Sequence, residues 1–405
     1  MSTTVPPDSI ILTIEPISLG GVPTMVKAAD SLLRRWGHAP RLVYTDAESA
    51  PTDGIGSLLR YYARHPGPRR EQRDGLDGLA IPLWPLPQWL GYYAPLVAAR
   101  RELAAARIRL VVAGSAHTGL PFTYSDKPFV LWVATVYDDE MRARAAAGDA
   151  WAGRLLESRA WPRLQRQERR VLERAAAVLA LSPHTGEAIR RVCPAAAPRV
   201  QTVMCPIDTE VFRPGDGANP FGGPFLLFTA RIRDPRKNAA MLLRAFARVR
   251  AAHPALKLVL IGDAPLAPHL ALRDELGLGE SVVFHPAVPR AELPPYYQAA
   301  ELFVLSSLQE GLGISFLEAM ACGLPVAAYP VTGPLDVLGD SRAGVMHEDL
   351  RTACLAALEL KREDAVAHAR KFSWRAATEE FLANLHPRAR TARMQPRLAG
   401  SSGVL

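Results

Sequence analysis

The chain has 405 residues and a mass of 44.1 kDa, enough for two or three domains. At 49% hydrophobic and 22% charged it has a globular composition with material for its own core, which excludes a disordered, collagen-like or small disulfide-stapled protein. Net charge is +8, with 27 Lys/Arg against 21 Asp/Glu in the first 215 residues; that half suits an acidic membrane surface or a phosphorylated substrate, although a chain-wide arginine bias is the simpler account.

In chain order, MSTTVPPDSIILTIEP lacks the basic n-region and long apolar run of a secretory signal. IILTI (10–14) reads as a strand, followed by Gly20-Gly21 and a helix-like VPTMVKAADSLLRRW. RLVYT (41–45), IRLVVAG (108–114), FVLWVA (129–134) and AVLAL (177–181) read as further strands with helical stretches between several of them. Residues 46–75 are polar and rich in Gly, Arg and Pro, the pattern of an exposed loop region. IPLWPLPQWLGYY (81–93) reads as a rigid loop packed on the first domain or as an amphipathic lip facing an acceptor or a bilayer interface.

After residue 215 the alternation restarts, with FLLFTA (225–230), KLVLIG (257–262), SVVFH (281–285), LFVLSS (302–307) and PVAAY (325–329) as strands. NAAMLLRAFARVRAAH, a segment near 267–277 and ISFLEAMACG are the helices between them. Strands alternating with crossover helices imply parallel sheets, and two such series imply an α/β protein with two doubly wound Rossmann-like domains facing each other across a cleft. The expected units are 1–214 and 215–371, joined through the Gly/Pro-rich stretch 212–224, with a disordered tail at 386–405. Cys193, Cys205, Cys322 and Cys354 form no C-x-x-C pair, so neither a zinc site nor a disulfide framework is indicated, and a reducing cytoplasm is the expected compartment. No apolar run is long enough to span a bilayer.

Ligands of open α/β sheets bind beyond the carboxyl ends of the strands, so the polar residues there are the candidates. Arg231 ends FLLFTA, and Lys237 lies six residues on; Asp263 ends KLVLIG; Glu310 follows LFVLSS. The turn Glu310-Gly311-Leu312-Gly313 opens a helix, whose free N–H groups and positive dipole end suit phosphate or sugar oxygens. Glu318 lies on that helix, which is apolar nearly all round, so its carboxylate needs either a hydroxyl-bearing ligand or a buried Arg or Lys partner. Arg231 and Lys237 read as a solvated turn when taken alone and as a cationic clamp on a diphosphate when set opposite Glu310.

Glu310 and Glu318 stand within EGLGISFLEAMACGLPVAA, and ARIRDPRKN, IGDAP and ELPPYYQAAELFVLSS precede it in order. This array resembles glycosyltransferase family 4, the retaining nucleotide-sugar transferases of the GT-B fold, over roughly residues 206–385. The first domain resembles it only through Gly20-Gly21-Val22. The resemblance implies that Glu310 contacts donor-sugar hydroxyls and that Gly311, Leu312 and Gly313 offer backbone N–H groups. It further implies that Glu318 holds the ribose hydroxyls and that Arg231 and Lys237 hold the diphosphate, with Arg236 able to replace one of them. Gly20 and Gly21 would close on the diphosphate, Asp263 would join the donor site, and 372–385 would be a helix crossing back to the first domain.

The family carries a histidine after the strand FVLWVA. Here TVYDDE leaves Tyr137, Asp138 and the more distant His117 as acceptor-side candidates. The activity implied is transfer of a hexose from a nucleoside-diphosphate sugar to an acceptor hydroxyl, with no metal or other cofactor. The expected partners are the nucleotide sugar and a lipid or cell-envelope glycan acceptor, with peripheral contact at the inner membrane face. A nucleotide-sugar hydrolase or epimerase, or a catalytically silent sugar-nucleotide-binding subunit, is the alternative. No compact Lys/Arg stripe with interleaved aromatics supports nucleic-acid binding.

Overall fold

A computed structural model describes residues 8–14, 21–46, 60–61, 63–65, 67–73, 75–82, 87–373 and 381. Among these, the first sheet comprises β1 (Ser9–Ile14), β2 (Pro40–Asp46), β3 (Arg69–Arg73), β4 (Leu76–Pro82), β5 (Ile108–Ala113), β6 (Val130–Val133), β7 (Ala177–Ala180) and β8 (Val200–Thr202). Their order is β3-β4-β2-β1-β5-β6-β7-β8. The second comprises β9 (Phe225–Ala230), β10 (Lys257–Gly262), β11 (Val282–Pro286), β12 (Leu302–Leu305), β13 (Val326–Ala328) and β14 (Gly344–Met346), in the order β11-β10-β9-β12-β13-β14. All neighbours pair in parallel except β3 with β4. Ile11 sits opposite Leu42 and Leu110; Leu227 sits opposite Val259 and Phe303.

The central strands are apolar on both faces because helices cover both. Every residue of β6 and of β12 is buried. Helix Gly21–Arg35 lays Met25, Ala29 and Leu32 against one face of the first sheet; Leu103, Val171 and Ile189 belong to the cluster on the other. One apolar cluster contains residues of both domains, Met25 and Phe316 among them. In each sheet the strand order reverses beside the first strand, between β1 and β5 and between β9 and β12, which opens a crevice at the strands' carboxyl ends.

The expectation of a loop over 46–75 fails at its end, where Arg69–Arg73 forms an antiparallel edge strand. It is charged because one face is solvated, a composition that also blunts an open edge. Arg69 pairs with the fully buried Asp46, and Tyr44 donates to Glu71, so the strand is held by polar contacts that apolar periodicity does not reveal. Residues 47–59 of that stretch lie outside the described set.

The first sheet ends at Thr202 and the second begins at Phe225. The chain then returns: Ile207 donates its N–H to the Phe372 carbonyl at 2.9 Å, and Ile207 bridges to Ser373. Phe381 packs its ring 5.2 Å from that of Trp132. Apart from residues 372, 373 and 381, the expected helix 372–385 and the tail 386–405 lie outside the described residues. Among the described residues, no helix is long and apolar enough to cross a membrane.

The aromatic segment 81–93 is packed where it is described. Tyr92 stacks on His117 at 4.9 Å, and the Trp89 carbonyl accepts from Gln167 at 2.8 Å. Glu168, on helix Trp161–Arg174, lies beneath this layer and accepts from the backbone N–H of Tyr137 at 3.0 Å and from that of Ala116. Burial pushes its carboxyl up to about 8 against those two hydrogen bonds.

Trp132 is wholly buried and donates Nε1–H to the Val203 carbonyl at 2.9 Å, so Trp132→Ala removes packing on β6, the contact with Phe381 and one hydrogen bond. Its expected cost is about 3–5 kcal/mol, read as a lower denaturant midpoint. Glu168 gives a second test. Its folded pKa is raised, so its contribution is complete below the unfolded value of about 4.3 and is lost as pH rises through about 8. Stability of the native protein should fall across that window by up to about 1.4 kcal/mol per pH unit, and Glu168→Gln should flatten the decline.

Candidate active site

Residues that follow β1, β5, β6 and β7 on one side and β9, β11 and β12 on the other enclose a cavity of about 270 Å³. Glu310 stands in the turn between β12 and helix Ile314–Ala321. Its Oε1 accepts from Lys237 Nζ at 2.5 Å and from Ser307 Oγ at 2.7 Å. The neighbouring Ser306 donates to the Lys237 carbonyl at 2.7 Å, so the serine pair at the end of β12 ties the lysine turn to the glutamate turn. Thr332 Oγ1 adds a hydrogen bond to the Glu310 carbonyl at 2.9 Å. Both charged side chains are largely covered, and this concentrates their field on the cavity.

The glycines have steric reasons. A Cβ on Gly311 would lie 2.8 Å from the Ala134 carbonyl oxygen, so the two domains meet there backbone to backbone. Gly313 has φ +86°, and a Cβ there would lie 2.0 Å from the Phe316 ring. These constraints hold Gly311, Leu312 and Gly313 on the cavity wall at the start of a buried helix.

Glu318, one turn into that helix, is 4% exposed and also on the wall. Of its two possible partners, the structure shows the buried cation: Arg290 Nε donates at 2.6 Å, and Tyr297 Oη donates at 3.3 Å. Burial raises the Glu318 carboxyl, while Arg290 and Tyr297 pull against it. The Arg290 guanidinium also lies over Phe212, 4.8 Å from the ring centroid. Arg290 follows β11 in a short turn, where no apolar period marks it.

Arg231, Arg236 and Lys237 all reach the wall. Arg231 is half exposed and 3.1 Å from Asp234. Arg236 is more deeply set, 2.7 Å from Asp234 and 3.3 Å from Glu140 of the other domain. Burial acts to raise the Asp234 carboxyl, but Arg236 and its cationic neighbours overcome that and hold it at about 2. With Arg290, the second domain thus gives the cavity four cations.

Several expected residues lie elsewhere. Asp263 is off the cavity wall, its carboxylate accepting the backbone N–H groups of Ile232 and Arg233, a strap between β9 and β10. His117 is wholly buried; its Nε2 donates to the Leu164 carbonyl at 2.9 Å, and its Nδ1 accepts from Ser115 at 3.1 Å. Burial lowers this imidazole to about 4, so it stays neutral at pH 7. Tyr137 is turned into the core, its hydroxyl donating to Gln88 at 2.9 Å; burial pushes its phenol up to about 12. Asp138 binds Arg142 one turn along its own helix, at 2.6 Å. None of these three lines the cavity. Thr135, just beyond β6, and Glu140, on helix Tyr137–Ala146, do so instead. The segment TVYDDE reaches the wall through its first and last residues: the helical turn aims Glu140 inward, whereas Asp138 and Asp139 meet Arg142 and Arg191. Gly21 lines the cavity; Gly20 lies outside the described residues. Cations in a covered cleft suit a diphosphate, and the carboxylates of Glu310 and Glu318 suit hydroxyls.

The family model Glycosyltransferase Family 4 matches residues 19–211, and Glycosyl transferases group 1 matches 223–360. The D-inositol 3-phosphate glycosyltransferase of Segniliparus rotundus is 34% identical over 227 residues, 50% of each chain. That of Mycobacterium avium is 34% identical over 217 residues, 46% of this chain and 49% of the relative. The chain spans about half the length of the curated relatives it matches. Among solved structures, sucrose-phosphate synthase from Thermosynechococcus elongatus superposes with a TM-score of 0.73 at 20% identity, covering 92% of this chain and 97% of that one. Anabaena HepE in complex with UDP and glucose gives 0.67 at 17% identity, covering 94% and 99%. WaaG, a glycosyltransferase involved in lipopolysaccharide biosynthesis, gives 0.65 at 17% identity, covering 94% and 98%. These likenesses show the GT-B architecture, two Rossmann-like domains about a cleft. With one family model on each of its two domains, the chain belongs to glycosyltransferase family 4.

Proposed function

We propose that the protein transfers a hexose from a nucleoside-diphosphate sugar to an acceptor hydroxyl with retention of configuration. The observation that carries this reading is the Lys237–Glu310 pair on a wall shared with Arg231 and Arg236. In this reading Arg231, Arg236 and Lys237 neutralise the diphosphate, and Glu310 accepts from sugar hydroxyls. Glu318, held by Arg290, accepts from the ribose. UDP and glucose in HepE and the glycosyltransferase names of the curated relatives support it.

The bond from the anomeric carbon to the β-phosphate oxygen breaks, and a bond to the acceptor oxygen forms on the same face. The acceptor proton passes to the departing phosphate oxygen. Negative charge grows on that phosphate, where fixed cations and the N-terminal end of helix Ile314–Ala321 stabilise it without reorganising. This reading asks for no metal and no dedicated protein base, because the cations and the leaving phosphate take those roles. The interdomain cavity keeps water from the activated sugar. The acceptor we favour is the hydroxyl of a lipid or glycan of the cell envelope, reached from the cytoplasmic face of the membrane.

A thermal-shift screen of nucleoside diphosphates and their sugars is the first check; a bound donor raises the unfolding temperature with concentration, and no response to any of them would refute the reading. Glu310→Ala is expected to abolish transfer with an unchanged far-UV circular dichroism spectrum. Lys237→Met is expected to lower kcat on the order of 10²–10³-fold. Anomeric coupling constants of the product by NMR test retention; an inverted product overturns that part.

A further inference from the structure

The two halves of the cavity wall differ in charge. Arg231, Arg236, Lys237 and Arg290 all belong to the second domain. Among the described residues, the first domain contributes one charged side chain, Glu140, and two hydroxyls, Thr24 and Thr135; the remainder of its share is glycine or aliphatic. Its residues outside the described set contain Glu and Asp but no Lys or Arg, so the sequence gives them no cation to add. Arg69 and Arg73 stand on the far edge strand beside Asp46, and neither is on the wall. Among the described residues, the first-domain wall is therefore a carboxylate with hydroxyls, and it faces the second domain's cations.

We propose that this wall selects an uncharged polyhydroxyl acceptor, a sugar or polyol without a phosphate, and that Glu140 is the residue that accepts its hydroxyl and excludes phosphorylated ones. The proposal rests on the glycosyltransfer reading above. It also separates this protein from its relatives, whose names specify an inositol phosphate.

The position of Glu140 fits the role. Its carboxylate is mostly covered and lies 3.3 Å from Arg236, a cation that the diphosphate claims once the donor is bound. A carboxylate has about four lone-pair sites, so one oxygen can keep Arg236 while the other accepts an acceptor hydroxyl. A phosphate brought to the same wall meets a like charge in a partly desolvated site with no first-domain cation to offset it. Asp138 and Asp139 do not share the task, since both are spent on surface arginines.

The experiment uses the full chain, the nucleotide sugar that the thermal-shift screen selects, and matched acceptors: myo-inositol against inositol 3-phosphate, and methyl glucoside against glucose 6-phosphate. Diphosphate release is measured as kcat/KM. The neutral member of at least one pair should exceed its phosphorylated partner by tenfold or more. Glu140→Gln should cut that ratio about tenfold, and Glu140→Lys should reverse it. An alkyl glucoside in detergent, run beside methyl glucoside, tells a lipid-linked sugar from a free one, and use of either neutral sugar supports the proposal. Preference for the phosphorylated member, turnover of neither, or a ratio unmoved in both variants overturns it. If UDP and other nucleoside diphosphates also fail to bind, the glycosyltransfer reading has fallen; if they bind, only the acceptor assignment has.

Discussion

A carboxylate set into a mostly apolar wall must be met by a cation or by hydrogen-bond donors. The cavity of this protein is organised around two such demands. Glu310 is met by Lys237 and Ser307, and Glu318 by Arg290 and Tyr297. Each pairing joins segments far apart in sequence, so each fixes one loop against another. The Glu310 pairing anchors the turn after β12 to the turn after β9; the Glu318 pairing anchors the buried helix to the turn after β11. Hydrogen bonds from Ser306 and Thr332 add to the first, and the Phe212 ring adds to the second.

Such pairs contribute little net stability after desolvation, and their value here is positional. A nucleotide sugar offers a diphosphate and many hydroxyls, the complements of clamped cations and carboxylates. In the proposed function, the same groups that satisfy one another in the structure are the ones a donor engages. The contact of Gly311 with the Ala134 carbonyl and the ion pair of Arg236 with Glu140 bring the first domain onto this frame. The asymmetry of charge between the two walls then follows from which domain supplies each loop.

Much of the second domain is legible from its residues. FLLFTA and KLVLIG coincide with β9 and β10, since a strand buried on both faces is a short continuous apolar run. Glu318 announces itself as an acid in an apolar helix. The edge strand Arg69–Arg73 was hidden because its partners are charges, and Arg290 was hidden because a turn carries no period. Tyr137 and Asp138 fell to helical geometry: a shift of two residues along the first turn of a helix separates a side chain on the surface from one on the cavity wall. His117 was drawn in by its chemistry, yet its two ring nitrogens are already engaged, by a backbone carbonyl and a serine hydroxyl.

Residue pattern alone fixes the alternation of strand and helix, the two doubly wound units, the glycine turn at 311–313 and the acids Glu310 and Glu318 on either side of it. These are local consequences of apolar period, backbone freedom and the cost of a buried charge. Folding in three dimensions settles which cation serves which carboxylate, which domain lends the cavity its positive charge, and that Glu140 and Thr135 are the polar side chains beyond β6 that face it. Those outcomes depend on which loops converge beyond the strand ends, and convergence is set by strand order and domain contact, neither of which is written in any one stretch of residues.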